Sequence, residues 1–124
     1  MRGYDMSNVT FIKGDTGWIV VDPLMSVECA QAALALVEEN LGTFPVKAVI
    51  YSHSHVDHFG GVKGIVSEED VQSGNVQVIA PEGFEKHAVS ENIYAGTAMG
   101  RRASYQYGTM LEGGETGSLS ICLL

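Results

Sequence analysis

Two short runs of apolar, β-branched residues lie near the start of the chain, at residues 9–12 and 18–21. The five residues between them include two glycines and an aspartate, which suit a tight connection. The pattern therefore predicts a β-hairpin. Asp22 follows the second run and precedes Pro23, whose ring cannot donate a hydrogen bond to a neighbouring strand. We therefore expect Asp22 at the carboxyl end of a strand.

The next segment has the hydrophobic period of a helix. Ser26 stands at the N-cap position, and Gly42 comes just past the last apolar residue. Steps of three and four residues separate the apolar positions, which are Val27, Ala30, Leu34, Val37 and Leu41. The sequence therefore predicts an amphipathic helix between Ser26 and Gly42.

Apolar runs at residues 46–51 and 75–80 predict two further strands, the second of which ends at Pro81. A helix is expected to follow from residue 82 to about residue 90. Strands and helices in this order predict an α/β sandwich rather than a barrel or a helical bundle.

Residues 94–105 carry a weaker helical pattern that is interrupted by two glycines. One face of this helix, with its neighbours, presents hydroxyl and guanidinium groups: Tyr94, Arg101, Arg102, Tyr105 and Tyr107. Such a face could bind an anion such as sulfate. The simpler interpretation, which we prefer, is that these long side chains pack on the core.

The length of 124 residues fits a single domain, and the content of 45% hydrophobic and 18% charged residues is that of a folded chain. A net charge of -8 argues against a broad surface for nucleic acid or an anionic membrane. Cys29 and Cys122 are too few for a disulfide scaffold. No apolar run reaches the roughly 18 residues that predict a transmembrane helix.

The candidate chemistry lies directly after the strand at residues 46–51, in the pattern H-x-H-x-D-H. Its four ligand-type residues are His53, His55, Asp57 and His58. Side chains two residues apart in an extended chain point the same way, so His53 and His55 can bind one metal ion. A turn near Asp57 can aim Asp57 and His58 at a second ion. Three of the four histidines in the chain fall within these six residues, which favours a metal site over a chance cluster.

The residues around this motif have less specific roles. Gly60 and Gly61 allow a sharp turn after it. Asp22 has two interpretations of about equal weight: it orients a metal-bound imidazole, or it forms the turn before Pro23. His87 has no partner at ligand spacing, and we interpret it as a surface or packing histidine.

The motif from His53 to Gly61 resembles the signature of the metallo-β-lactamase superfamily, whose members are αββα sandwiches that use one or two metal ions, usually zinc, for hydrolysis. A closer resemblance, to the alkyl sulfatases of that superfamily, extends to about Gly108. It rests on the following segments: RGYD (2–5), NVT (8–10), GDTGW (14–18), YSHSHVDHFGG (51–61), EN (91–92) and RRASYQYG (101–108).

The resemblance implies a zinc-dependent hydrolase of alkyl sulfate esters such as dodecyl sulfate. Carried over by position, His53 and His55 bind one zinc ion, Asp57 and His58 bind the other, and Asp57 also belongs to the catalytic residues. The nucleophile is then a water bound to the metal. For the full-length protein the resemblance implies a homodimer, with a periplasmic, secreted or cytoplasmic location left open.

We expect residues 1–124 to form only the amino-terminal half of an αββα sandwich, which is family-like to about residue 108 and has an atypical tail over 109–124. The acidic and histidine ligands that the family uses later in its sequence are expected downstream. Two other functions stay open. One is a hydrolase of the same superfamily that acts on a lactam, thioester or phosphoester, and the other is a non-catalytic metal-binding fragment.

Overall fold

The computed structural model describes residues 5–112 of the chain. Arg2, Gly3 and Tyr4 of the family-like amino-terminal segment lie outside the described residues. The same holds for residues 113–124, which make up most of the predicted atypical tail and include Cys122.

The described part contains strands and helices in alternating groups. The strands are β1 (Thr10–Lys13), β2 (Trp18–Val21), β3 (Val46–Ile50) and β4 (Gln77–Ile79). The helices are α1 (Val27–Leu41), α2 (Glu68–Gln72), α3 (Phe84–Val89) and α4 (Gly96–Tyr107). Short 3-10 turns cover Val56–His58 and Val62–Gly64, and a π-helical turn covers Ser90–Tyr94. Among residues 5–112, no helix is long and apolar enough to cross a membrane.

The strands form one sheet in the order β1-β2-β3-β4. Strands β1 and β2 pair antiparallel, which confirms the predicted hairpin. Strand β3 runs parallel to both β2 and β4. The carboxyl ends of β2, β3 and β4 therefore meet at one edge of the sheet, where ligand sites of α/β proteins usually form. Asp22 lies at this edge, and its backbone N–H donates to the Ile50 carbonyl at 3.0 Å.

The predicted long helix is confirmed as α1. The Ser26 hydroxyl oxygen accepts the backbone N–H of Cys29 at 3.1 Å, and Gly42 ends the helix with a φ of 90°. The carboxylate of Asp5 also accepts the backbone N–H groups of Met25 and Ser26 at 3.0 and 3.1 Å. These contacts fix the amino-terminal end of α1 beside the carboxyl edge of the sheet.

The core lies on one face of the sheet, together with the inner side of α1. Its buried hydrophobic residues are Val9, Trp18, Val20, Leu24, Cys29, Ala30, Ala33, Val37, Val49, Ile65 and Val76. The strand register puts isoleucine and valine side chains on the other face too, and Ile12 and Ile79 there are each 47% exposed. The described residues thus form one sheet with a helical layer on one side, a mixed α/β arrangement as predicted.

Helix α4 does not reach this core. None of its residues is buried: Tyr105 is 91% exposed, and Tyr94 in the turn before the helix is 85% exposed. The preferred interpretation, that this face packs on the core, is therefore wrong for these tyrosines. Helix α4 follows the π-helical turn at Ser90–Tyr94 almost directly and contacts it. The alternative role of this face, anion binding, stays a prediction.

Candidate metal centre

The end of β3 and the turn after it bring the predicted ligands together. In that 3-10 turn the backbone N–H of His58 donates to the His55 carbonyl at 3.0 Å, which folds the chain back on itself. The ring centroid of His53 consequently lies 4.5 Å from that of His55 and 4.1 Å from that of His58. The hydroxyl of Ser7 donates to the Asp57 carbonyl and ties the turn to the amino-terminal segment.

The four side chains form two donor pairs. His53 Nε2 lies 3.0 Å from His55 Nδ1, and His58 Nε2 lies 3.3 Å from Asp57 Oδ2. Zinc–ligand bonds of about 2.0–2.1 Å at tetrahedral angles put two donor atoms roughly 3.3–3.4 Å apart. Both separations therefore fit two donors that share one ion, within a few tenths of an ångström. The division of the four side chains between two ions stays a prediction.

Each pair provides only part of a coordination shell. Within residues 5–112, no group of three or more His, Cys, Asp or Glu side chains is arranged to hold one ion. Catalytic zinc sites use about three protein ligands plus water. Imidazole nitrogen and carboxylate oxygen are the donor types that zinc prefers. The four side chains thus have donor atoms of the types that zinc binds, and each pair supplies two of them.

Asp22 joins two of these residues. Its Oδ2 atom accepts from His58 Nδ1 at 2.9 Å and from the Ser52 hydroxyl at 2.6 Å, while Oδ1 accepts the Ser52 backbone N–H at 2.8 Å. Asp22 also turns the chain before Pro23, with a φ of 55°. Burial alone would raise the pKa of Asp22, but the hydrogen bonds from Ser52 and His58 outweigh it and hold the pKa below the usual 3.8. The structure therefore confirms the turn at Asp22 and shows its contact with an imidazole, while metal binding by that imidazole stays a prediction.

Ser52 links Asp22 to a second histidine, His53, through hydrogen bonds. Its single hydroxyl proton is donated to Asp22, so its oxygen accepts from His53 Nδ1 at 2.8 Å. A proton on Nδ1 leaves a lone pair on Nε2, the atom of His53 that faces His55. His58 is held in the same tautomer, because its Nδ1 donates to Asp22. In the neutral form each of these two rings carries its lone pair on Nε2, so His55 Nδ1 is the donor in the 3.0 Å hydrogen bond to His53 Nε2.

Glu91 is a site residue that the ligand pattern does not reveal. Its Oε2 atom accepts from the Ser54 hydroxyl at 3.0 Å, and its Oε1 atom lies 3.4 Å from His55 Nε2. Glu91 comes 37 residues after Ser54, so no local spacing connects the two. The only sequence signal is its place in one of the family-like segments.

An aromatic cluster brings the segment of Glu91 to the site. The ring of Tyr51, just after β3, lies 5.2 Å from that of Phe84 and 5.8 Å from that of Phe59, and the two phenylalanine rings are 5.1 Å apart. Burial in this cluster raises the pKa of Tyr51. Helix α3, which begins at Phe84, is thereby held against the metal-site turn, the segment around the 3-10 turn at Val56–His58. His87 on α3 is exposed, as its interpretation as a surface histidine requires.

Glycines let the site turn approach the start of α1. The backbone N–H of Gly61 donates to the Leu24 carbonyl at 2.9 Å. A Cβ atom at Gly61 would lie 2.6 Å from the Ser26 carbonyl oxygen and closer still to that of Pro23. Both obstacles are backbone atoms, so the turn itself would have to move.

We expect Gly61→Ala to lower the free energy of unfolding by about 1–3 kcal/mol, as overpacking does. Gly100→Ala is the matched control, because a Cβ there meets nothing within 4 Å and the position lies inside α4. It should leave stability unchanged or raise it by up to about 1 kcal/mol. Urea unfolding curves of both variants measure the difference, and equal midpoints would contradict the close approach of Gly61.

Comparisons with known proteins agree on one family. The sequence pattern of the metallo-β-lactamase superfamily matches residues 2–120. The chain is 54% identical to a linear primary-alkylsulfatase from a Pseudomonas species over 119 residues, which are 96% of this chain and 18% of the relative. It is also 54% identical to an alkyl/aryl-sulfatase of Saccharomyces cerevisiae over 111 residues, or 90% of this chain and 17% of the relative.

A solved structure gives the same answer for the fold. The stereoselective inverting sec-alkylsulfatase Pisa1 from a Pseudomonas species superposes with a TM-score of 0.82 at 54% identity, over 91% of this chain and 18% of that one. The chain thus spans about a fifth of the length of the relatives it matches. The matching sequence pattern and the superposition together show that the chain belongs to the metallo-β-lactamase superfamily.

Proposed function

We propose that this chain carries the first ligands of a two-zinc site that hydrolyses alkyl sulfate esters. The observation that carries the proposal is the pair of donor sets, His53 with His55 and Asp57 with His58, side by side at the carboxyl end of β3. The choice of an alkyl sulfate is supported by the relatives at 54% identity, which are named alkylsulfatases.

His53 Nε2 and His55 Nδ1 would hold one ion, and His58 Nε2 and Asp57 Oδ2 the other. When bound, zinc lowers the pKa of water toward neutrality and provides positive charge against the sulfate group. Asp57 is the one residue that we place both among the ligands and among the catalytic groups. Asp22 acts on the far side of the rings, where it accepts hydrogen bonds from His58 Nδ1 and from the Ser52 hydroxyl, and the Ser52 oxygen in turn accepts from His53 Nδ1.

The remaining ligands are not among the described residues, so the sharpest test places this segment within a longer relative. In a hybrid, residues 5–112 of this chain replace the aligned segment of the Pseudomonas linear primary-alkylsulfatase, to which the chain is 54% identical. We expect the hybrid to release sulfate from dodecyl sulfate with zinc present. His55→Ala in the hybrid should lower the rate by about a hundredfold or more, because one donor pair is broken.

His87→Ala is the matched control, since this exposed histidine on α3 lies outside the donor pairs. It should leave the rate of the hybrid unchanged. A folded, zinc-loaded hybrid that releases no sulfate would contradict the proposal. Hydrolysis of a lactam, thioester or phosphoester by such a hybrid would assign the segment to another activity of the superfamily.

A further inference from the structure

The segment before β1, residues 5–9, is fixed at both ends. At its start Asp5 is only 8% exposed, and its Oδ2 atom accepts the backbone N–H groups of Met25 and Ser26 at 3.0 and 3.1 Å. At its end Val9 is fully buried in the hydrophobic core. A buried carboxylate loses its hydration, and these charge-assisted hydrogen bonds offset that cost. The segment therefore has a defined position against the start of α1.

Ser7 lies between these two anchors and contacts the metal-site turn. It is 8% exposed, and its hydroxyl donates to the backbone carbonyl of Asp57, 50 residues further along the chain. That carbonyl belongs to the planar peptide group that joins Asp57 to His58. The relative direction of two neighbouring side chains depends on the backbone torsions on either side of their shared peptide group. The contact of Ser7 therefore bears on how the carboxylate of Asp57 and the ring of His58 face each other.

The metal-site turn also rests on the part of the chain that Asp5 holds. The backbone N–H of Gly61 donates to the Leu24 carbonyl at 2.9 Å, and a Cβ atom at Gly60 would collide with the Met25 carbonyl oxygen. Asp5 accepts the N–H group of the same residue, Met25. The amino-terminal segment, the start of α1 and the turn thus form one connected unit, which determines where the hydroxyl of Ser7 lies.

We propose that Ser7 is a positioning residue that holds the peptide group between Asp57 and His58 and thereby keeps Asp57 Oδ2 and His58 Nε2 directed at one ion. These two atoms lie 3.3 Å apart, a separation that a shared zinc ion allows. Asp5 is the anchor that keeps Ser7 in place. The inference rests on the proposed metal site and deepens it, because it assigns a support to the donor pair of two adjacent residues.

The pair of His53 and His55 has a different support. The Ser52 oxygen accepts from His53 Nδ1 at 2.8 Å, and the Ser52 hydroxyl donates to Asp22 at 2.6 Å. These contacts lie on the strand side of the motif, whereas the contact of Ser7 is to the turn that follows it. Loss of the Ser7 hydroxyl should therefore weaken one of the two proposed ions and leave the other unchanged.

Four variants separate positioning from a general effect on the fold. Ser7→Ala removes the hydroxyl, and Ser7→Thr keeps one on the same carbon and should restore the wild-type behaviour. Asp5→Asn leaves Ser7 in the chain but replaces its anchor by a neutral, weaker acceptor. Ser73→Ala is the matched control, because the hydroxyl of this exposed serine also donates to a backbone carbonyl, that of Asp70 at 3.1 Å, away from the site.

Stepwise addition of zinc to the 124-residue chain, followed by NMR of the histidine rings, measures the affinity of each donor pair separately. In Ser7→Ala the zinc concentration at which the His58 signals change should rise about 10–100-fold, as the loss of a residue that orients a ligand does. The concentration for His53 and His55 should stay the same. Asp5→Asn should show a smaller change in the same direction, and the threonine variant and the control should match the wild type.

Hydrogen exchange of the metal-free chain provides a second, metal-independent measurement. The backbone N–H groups of His58 and Gly60 donate to the carbonyls of His55 and Val56 at 3.0 and 2.8 Å within the turn. Both should exchange faster in Ser7→Ala than in the wild type, because the turn opens more often without its contact to the amino-terminal segment. The amide groups of α1 should keep their exchange rates, which shows that the fold is intact.

The outcomes separate the inference from the function on which it rests. An unchanged His58 response in Ser7→Ala overturns the role of Ser7, and so does an equal loss for both donor pairs or a loss that Ser7→Thr does not restore. If Ser7→Ala does not fold, Asp5→Asn decides: a selective loss at His58 supports the inference, and no loss overturns it. A wild-type chain that binds no zinc overturns the proposed metal site, while hydrogen exchange still decides whether Ser7 holds the turn.

Discussion

A chain in which His53, His55 and His58 are all replaced by alanine should take up no zinc at concentrations that saturate the wild type. The substitutions remove three of the four donors, and the one that remains, Asp57, cannot hold an ion alone. We expect a loss of affinity of at least about a thousandfold. Elemental analysis after gel filtration gives the zinc content, and competition with a chelator gives the affinity. Zinc uptake by the triple variant equal to that of the wild type would contradict the site.

Single substitutions test the two donor pairs separately. His55→Ala breaks only the pair with His53, and Asp57→Ala breaks only the pair with His58. Each should therefore lower the zinc content from two ions to one, and the double variant should bind none. His87→Ala should bind zinc like the wild type, because that histidine is exposed on α3, away from the pairs. Loss of both ions in either single variant would instead indicate one shared site.

The elements that the sequence predicts well are those whose own residues determine them. The 3.6-residue period from Val27 to Leu41, with a serine before it and a glycine after it, defines α1 without reference to the rest of the chain. The turn that carries the candidate ligands is similar, since all four of these residues lie within six positions of one another. Helix α2 is too short for a hydrophobic period, and only the capping contact between Ser67 and Asp70 marks it.

Contacts between distant segments are less accessible to sequence reasoning. Asp22 could be placed near the motif because both follow neighbouring parallel strands, but the hydroxyl of Ser52 between Asp22 and His53 emerges only from the side-chain geometry. Glu91 reaches His55 because three aromatic rings hold α3 against the site turn. The exposure of Tyr94 shows the same limit, because a helical period defines a face but not the layer that covers it.

The isolated 124-residue chain should hydrolyse dodecyl sulfate at least about a thousandfold more slowly than the Pseudomonas linear primary-alkylsulfatase. Each proposed ion would have two donors among the described residues, whereas a catalytic zinc site uses about three plus water. An ion held by two donors has extra open positions and an undefined orientation toward the substrate, so the alignment that catalysis requires is lost. Sulfate release under saturating zinc measures the rate, with His55→Ala as the background.

The result that would contradict this expectation is equally specific. Turnover by the short chain within about tenfold of the longer relative, abolished by His55→Ala and kept by His87→Ala, would show that the chain completes its own coordination shell. The missing donors would then come from residues outside 5–112 or from a second copy of the chain. Rates at several protein concentrations separate these sources, because a site shared between copies loses specific activity on dilution and a site within one copy does not.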